Sequence, residues 1–333
     1  MKVLFSGYHN PYFVTVTEYM ENAIKALGHE LIVFDDRQHI IPGRIRWRIK
    51  WLNEFDLQYI NKRFVSLALD SKPDLVIVTG GHRILAQSLK TLRDNGISLV
   101  LWTIDAPINF DPIITAANCY DHVFCGGTEA QEILENNGIF GADWLPFACE
   151  SESHRRVELT EEDRKTYAKD IVFVGSFYPN RWKILKELNG FDIGIWGPYW
   201  NKTNCDAVDG FSIKNVQLKH SEWIRIYNSA KIVLVVHFQD GKTPCYQLSP
   251  KIFEALACES FVLVDKQKDV FNLFDDGKHL VSFDNIEELK EKVTYYLERP
   301  DERQRIAAMG YEEVHNKHTY VHRMREMFSK IGI

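Results

Sequence analysis

Short runs of apolar residues recur along the chain, each closed by glycine or acidic residues and separated by stretches of helical periodicity. In the first half they fall at 3–5, 31–34, 74–79, 98–102 and 122–124, with helical patterns at 15–27 and 84–95. Runs that stay apolar, instead of alternating, predict parallel strands covered on both faces. Residues 150–169 break the pattern. They are strongly charged with few apolar anchors, as in 161–165 (EEDRK), and read as a linker. The pattern then restarts, with strands expected at 171–174, 193–196, 232–236, 261–264 and 280–282. Three helical segments, 285–298, 300–314 and 318–330, close the chain. The expectation is an α/β protein of two doubly wound parallel-sheet domains.

Composition narrows the class. The 333 residues are 45% hydrophobic and 26% charged, which excludes disorder, collagen-like repeats and a small disulfide scaffold. A net charge of −6 argues against generic polyanion binding but leaves room for a local basic patch. No run of about 18 apolar residues predicts a membrane span, and the first residues (MKVLFSG) lack a signal-peptide core. The six cysteines form no C-x-x-C pair and read as reduced thiols, so a cytoplasmic location is expected.

In parallel sheets, ligands collect at the carboxyl ends of strands. Strand one delivers Gly7, Tyr8, His9 and Asn10, without G-x-G-x-x-G; a plain turn is the competing reading. The third strand delivers Gly80, Gly81 and His82. The fourth delivers Asp105, placed either as a general base or as a turn residue before Pro107. In the second half, Gly175, Ser176 and Arg181 form a strand, a glycine turn and a basic residue opening a helix, suited to a diphosphate. Ser249 and Pro250 open another helix as cap and first residue. Lys251 in its first turn opposes the helix dipole unless an anion binds there, and Glu254 follows one turn later on the same face, able to accept from a sugar's hydroxyl pair. A surface Lys251–Glu254 pair, or an ordinary cap, would also account for the spacing.

These residues resemble the CgeB-like glycosyltransferases. The resemblance runs through 171–181, 226–231 (IYNSAK), 250–258 (PKIFEALAC), 261–265 (FVLVD), 273–277 (LFDDG) and 318–323 (HTYVHR), and less specifically through 72–75 (KPDL) and 102–107 (WTIDAP). It implies a GT-B fold, two Rossmann-like domains facing across a cleft. Residues 1–155 would take the acceptor, 156–315 the nucleotide-sugar, and 316–333 would pack back on the first domain. By the same resemblance Glu254 binds the donor ribose, and Lys251, with Gly175, Ser176 and Arg181, meets the diphosphate. Trp196, Gly197 and Pro198 approach the nucleoside, and His237 and the loop to Tyr246 face the donor sugar. Asp105 would be the base of an inverting reaction, with His9 and His82 near the reacting centre. UDP is the favoured nucleotide.

Two departures leave the stereochemistry open. Tyr246 stands where many retaining relatives carry Glu, and Glu259 where glycine is usual. No D-x-D triplet occurs, so no metal or other cofactor is expected; helix N-termini and cations would stabilise the leaving diphosphate. The acceptor is open among glycan, lipid, protein, small metabolite and modified nucleic acid.

One further motif, 44–51 (RIRWRIKW), interleaves cations with apolar residues. As a helix it would place Ile45 near Ile49 and Trp47 near Trp51. An anionic acceptor, a membrane surface, or basic side chains lying over apolar neighbours are the candidate readings. Two rivals to sugar transfer remain: a nucleotide-sugar-binding protein without catalysis, and a nucleotide-sugar epimerase.

Overall fold

A computed structural model describes residues 1–46, 48–202 and 208–333. Trp47 lies outside the described residues, so its pairing with Trp51 does too. The chain divides into two compact units, Met1–Pro146 with Val321–Ile333, and Phe147–Tyr320.

The first unit runs β1 (Lys2–Gly7), α1 (Val16–Ala26), β2 (Glu30–Asp35), α2 (Gly43–Arg46), α3 (Lys50–Ser71), β3 (Leu75–Thr79), α4 (Ala86–Asp94), β4 (Ser98–Thr103), α5 (Asp111–Ala117), β5 (His122–Cys125), α6 (Thr128–Asn136) and β6 (Asp143–Trp144). Its sheet has the order β2-β1-β3-β4-β5-β6, parallel throughout. β3 and β4 are buried nearly end to end because helices cover both faces, which is why they read as unbroken apolar runs. The strand order reverses between β1 and β3, and that switch point opens a crevice at their carboxyl ends.

The second unit contains α7 (Glu161–Tyr167), β7 (Ile171–Val174), α8 (Pro179–Leu185), β8 (Ile193–Gly197), β9 (Phe211–Asn215), α9 (His220–Ser229), β10 (Ile232–Val235), α10 (Pro250–Ala257), β11 (Val262–Asp265), β12 (Val281–Phe283), α11 (Ile286–Leu297) and α12 (Pro300–Lys317). α13 (Tyr320–Lys330) falls, but for its first residue, with the first unit. The second sheet has the order β12-β11-β10-β7-β8-β9, again parallel, with its switch point between β7 and β10. Two six-stranded doubly wound sheets bear out the expected architecture.

Two local expectations change. The charged stretch taken as a linker contains α7, started by a capping box in which Thr160 and Asp163 exchange hydrogen bonds. In the basic segment, Arg46 is buried, its guanidinium beside His39 and 3.6 Å from the Asp56 carboxylate. Arg44, Arg48 and Lys50 are exposed, as are Trp51, Phe55 and Tyr59 at four-residue spacing along α3. Among the described residues, no helix is long and apolar enough to cross a membrane.

Candidate functional site

The second unit's switch point is built on Arg181. Proline opens α8 at Pro179, and the turn after β7 brings Arg181 under the sheet edge. Its Nε donates to the Val236 carbonyl at 3.0 Å and its Nη1 to the Ser176 carbonyl at 3.1 Å. One buried side chain thus ties the ends of β7 and β10 together, the two strands between which ligands sit in this topology. The guanidinium also lies 4.9 Å from the centre of the Tyr178 ring. Burial works against its charge.

Lys251 is the second cation here. A Cβ added to Gly175 would lie 3.1 Å from Lys251 Cε, so the lysine stem runs beside the turn that follows β7. Protein encloses both Lys251 and Glu254, although each keeps some accessible surface. Burial first, and then the charge of Arg181, push the Lys251 pKa down to about 7, against the pull of Glu254. Burial raises Glu254 to about 7, against the pull of Lys251. Two neighbouring cations thus lie by the start of α10; Glu254, one turn on, attracts Lys251, and the buried Asp265 attracts Arg181. Adjacent cations at a helix start are suited to binding an anion.

His237 has a different setting from the expected contact with a sugar. It is buried, and both ring nitrogens are engaged within the unit. The Ser249 N–H donates to Nε2 at 3.1 Å, so the neutral ring carries its proton on Nδ1, which donates to Asp265 at 2.6 Å. Asp265 also accepts from the His237 N–H. The pair sets the entry to α10. Ser249 is its N-cap residue, but the side chain makes no capping hydrogen bond; its backbone N–H is what the histidine holds. His237→Ala would leave that N–H buried without its acceptor. It should cost about 1–3 kcal/mol in urea unfolding, and an unchanged midpoint would show that the bond contributes nothing.

Trp196 is buried, with its ring 6.4 Å from that of Tyr167 and packed over Gly194. Gly197, at φ +155°, lets β8 pass close to Gly175, and the Phe177 N–H donates to the Pro198 carbonyl. Lys268 lies over the Tyr246 ring at 4.9 Å. Sequence reasoning missed Asp265, Trp200, whose Nε1 donates to the Gly175 carbonyl at 2.9 Å, and Asn180, whose Nδ2 donates to the His237 carbonyl at 2.8 Å. An acidic end to an apolar strand was the available signal for Asp265. Glu259 adopts φ +56°, the left-handed conformation that explains why glycine suits this position just past α10. It pairs with Arg156 at 2.9 Å.

A cavity of about 610 Å³ in this unit, lined by Arg156, Lys231, Phe261 and Arg303 among others, opens at the amino ends of β10 and β11. Ligands of doubly wound sheets bind at the carboxyl ends, so the Arg181–Lys251 edge is the better candidate.

In the first unit, Gly7 has no room for a side chain, since a Cβ would come within 2.7 Å of Thr79 Oγ1. His9 Nε2 lies 2.6 Å from Glu21 Oε1, and that hydrogen bond raises the imidazole pKa. Asn10 donates to the Tyr8 hydroxyl at 3.0 Å. Asp105 Oδ2 stands 3.2 Å from His82 Nδ1. Tyr8, His82 and Asp105 line one cavity of about 160 Å³; His9 and Asn10 are not part of its lining. Among the described residues, no group of three or more His, Cys, Asp or Glu side chains is placed to hold a metal ion.

Residues 181–329 match a protein-family model described as glycosyl transferase-like. The spore protein CgeB of Bacillus subtilis (strain 168) is 22% identical over 255 residues, 73% of this chain and 78% of CgeB. The CgeB-like glycosyltransferase resemblance read from the sequence is borne out. Among solved structures, sucrose-phosphate synthase from Thermosynechococcus elongatus superposes with a TM-score of 0.72 at 10% identity, covering 99% of this chain and 98% of that one. Anabaena HepE, solved in complex with UDP-glucose, does so with a TM-score of 0.64 at 12% identity, covering 99% of each chain. The fold is GT-B.

Proposed function

We propose that this chain, similar to the CgeB-like glycosyltransferases, transfers a sugar from a nucleotide-diphosphate sugar, with UDP the favoured nucleotide, to an acceptor held by the first unit. The observation that carries the reading is the enclosed Arg181–Lys251 pair at the switch point of the second sheet, with Glu254 one turn further on. A diphosphate satisfies the cations and a ribose hydroxyl pair satisfies the carboxylate. The complex of HepE with UDP-glucose, on the same fold, supports this choice of donor.

In the proposed step the acceptor hydroxyl gives its proton to Asp105 while its oxygen bonds to the anomeric carbon. The bond from that carbon to the diphosphate breaks, and UDP leaves with the electron pair. Arg181, Lys251 and the positive end of the α10 dipole stabilise the leaving charge without a metal. Asp105→Asn should then lower turnover by about 100-fold or more with little change in donor affinity. Turnover at the wild-type rate would remove Asp105 from the base role.

The pH dependence follows from linkage. A bound diphosphate favours the protonated form of Lys251 and raises its pKa from about 7, while ribose hydroxyls donating to Glu254 favour its carboxylate; above pH 7 that group is already mostly ionised, so the uptake by the lysine dominates. UDP-glucose binding should therefore take up protons near pH 7–8, and affinity should fall as pH rises through that range. Calorimetry at pH 7.5 in two buffers of different ionisation enthalpy measures the uptake. Proton release, or affinity that rises with pH, would contradict the placement of the diphosphate.

The deciding experiment is a thermal-shift series over nucleotide-sugars followed by product analysis. Stabilisation by UDP-sugars and sugar transfer to an added acceptor support the proposal. Binding without turnover over any acceptor panel would favour a non-catalytic binder, and donor conversion without an acceptor would favour an epimerase.

A further inference from the structure

The first unit's cavity is lined by two arginines, Arg37 and Arg83, and two carboxylates, Asp36 and Asp105, and the arginines are not closely paired with them. Arg83 lines it, following the positive-φ pair Gly80 and Gly81 that ends β3. Its backbone is pinned to α3: Asn61 Nδ2 donates to the Arg83 carbonyl at 2.8 Å, and Asn61 Oδ1 accepts from the Leu85 N–H at 2.8 Å. The half-buried guanidinium has no hydrogen-bond or ion-pair partner among the described residues. After burial, the repelling charges of Arg37 and Arg46 act on it most; Asp36 and Asp56 attract it less.

Neither carboxylate is a full counterion. Asp56 already takes the His39 ring, Arg46 and the N–H groups of Ile40 and Ile41. Asp36 is buried, and burial pushes its pKa up to about 6. Its Oδ1 has no hydrogen-bond partner, and Arg37 Nε stands 3.9 Å away, too far for one. Arg37 in turn lies over the Tyr8 ring at 4.5 Å. Two guanidinium forks therefore line one cavity: Arg37 is exposed and 3.9 Å from Asp36, while Arg83 is half-buried with no hydrogen-bond or ion-pair partner among the described residues, and a partly desolvated cation without a partner is costly.

We infer that this cavity binds the oxyanion, phosphate or carboxylate, of a small hydroxyl-bearing acceptor through Arg37 and Arg83. A cavity of about 160 Å³ suits a phosphate or carboxylate with part of a sugar ring; sites for whole drug-sized ligands run from roughly 300 Å³ upward. The planar guanidinium fork matches either oxyanion bidentately. The His82–Asp105 pair on the same lining stands ready for a hydroxyl of the same molecule. Calling that molecule the acceptor rests on the sugar-transfer reading; the charge of the ligand does not.

The test uses the full chain at fixed ionic strength, with glucose, glucose 6-phosphate, glucuronate and inorganic phosphate as probes in calorimetry. Glucose 6-phosphate or glucuronate should bind at least about 10-fold more tightly than glucose, and whichever binds better identifies the oxyanion. Arg83→Gln should weaken that probe by about 10- to 100-fold and leave glucose unchanged. Arg37→Gln serves as an independent second variant with the same expected direction. UDP affinity, read in parallel, should be unaffected by either. Anionic probes that bind no better than glucose, or affinities unmoved in both variants, would overturn the inference. Anion binding that responds to Arg83→Gln in a chain that fails to bind UDP would uphold the inference and reject the donor reading. UDP binding with no anion response would do the reverse.

Discussion

Replacing Glu254 by alanine should lower the affinity for UDP-sugars by about 100-fold or more, the scale of two hydrogen bonds to a charged acceptor. The carboxylate sits one turn into α10, where a ribose whose diphosphate lies at the helix N-terminus would present its hydroxyl pair. Its removal also leaves Lys251 enclosed beside Arg181 with no negative neighbour, so the lysine is driven further toward its neutral form and loses its hold on the diphosphate. Glu254→Gln keeps an acceptor oxygen but not the charge, and should fall between the two. Calorimetric titration with UDP-glucose separates the cases. Affinity in Glu254→Ala equal to that of the wild type would reject the ribose assignment, whatever becomes of the rest of the site.

Gly197→Ala should be the most damaging single methyl in the second unit. An alanine Cβ at 197 would stand 2.0 Å from the Gly175 carbonyl oxygen, a backbone atom that cannot swing aside. That same oxygen accepts the Trp200 indole N–H, while the Gly175 N–H donates to the Trp196 carbonyl. Relief therefore requires β7 and β8 to part at their carboxyl ends, in addition to the strain of φ +155° for a residue with a Cβ. Overpacking and backbone strain together cost roughly 3 kcal/mol or more. Urea unfolding would show a lower midpoint, and UDP binding should fall with it because Gly175 borders Lys251. A midpoint within error of the wild type would mean the two strands are less tightly coupled than their geometry implies.

Much of the fold was legible because parallel strands buried on both faces must be apolar throughout. The runs at 74–79, 98–102 and 171–174 have no polar face to keep, and they became β3, β4 and β7. β9 escaped notice because it is the edge strand of its sheet, half-exposed, with polar residues among its five. α3 was equally hard to read: its exposed aromatics at 51, 55 and 59 blur the contrast between its inner and outer faces. The charged stretch before β7 hid a helix because α7 buries none of its residues, and its local signs are only a capping box and the acidic-to-basic order of its charges.

The candidate site divides along the same line. Lys251 and Glu254 are three residues apart on one helix, so their shared face is a matter of helical geometry and could be read directly from the chain. The His237–Asp265 pair spans 28 residues, the tie from Arg181 to Val236 spans 55, and Arg83 has its nearest charges on other elements. No periodicity encodes such pairings; they exist because strand order brings loops from distant parts of the chain to one edge. The sequence by itself determined two doubly wound units and the spacing of a lysine and a glutamate at a helix start. The tertiary structure alone decided that the lysine shares its enclosure with a second cation, that a histidine holds the helix entry, and that two arginines in the first unit line one cavity. Burial and long-range charge depend on what surrounds a residue in space, and that is set only once the sheets have formed.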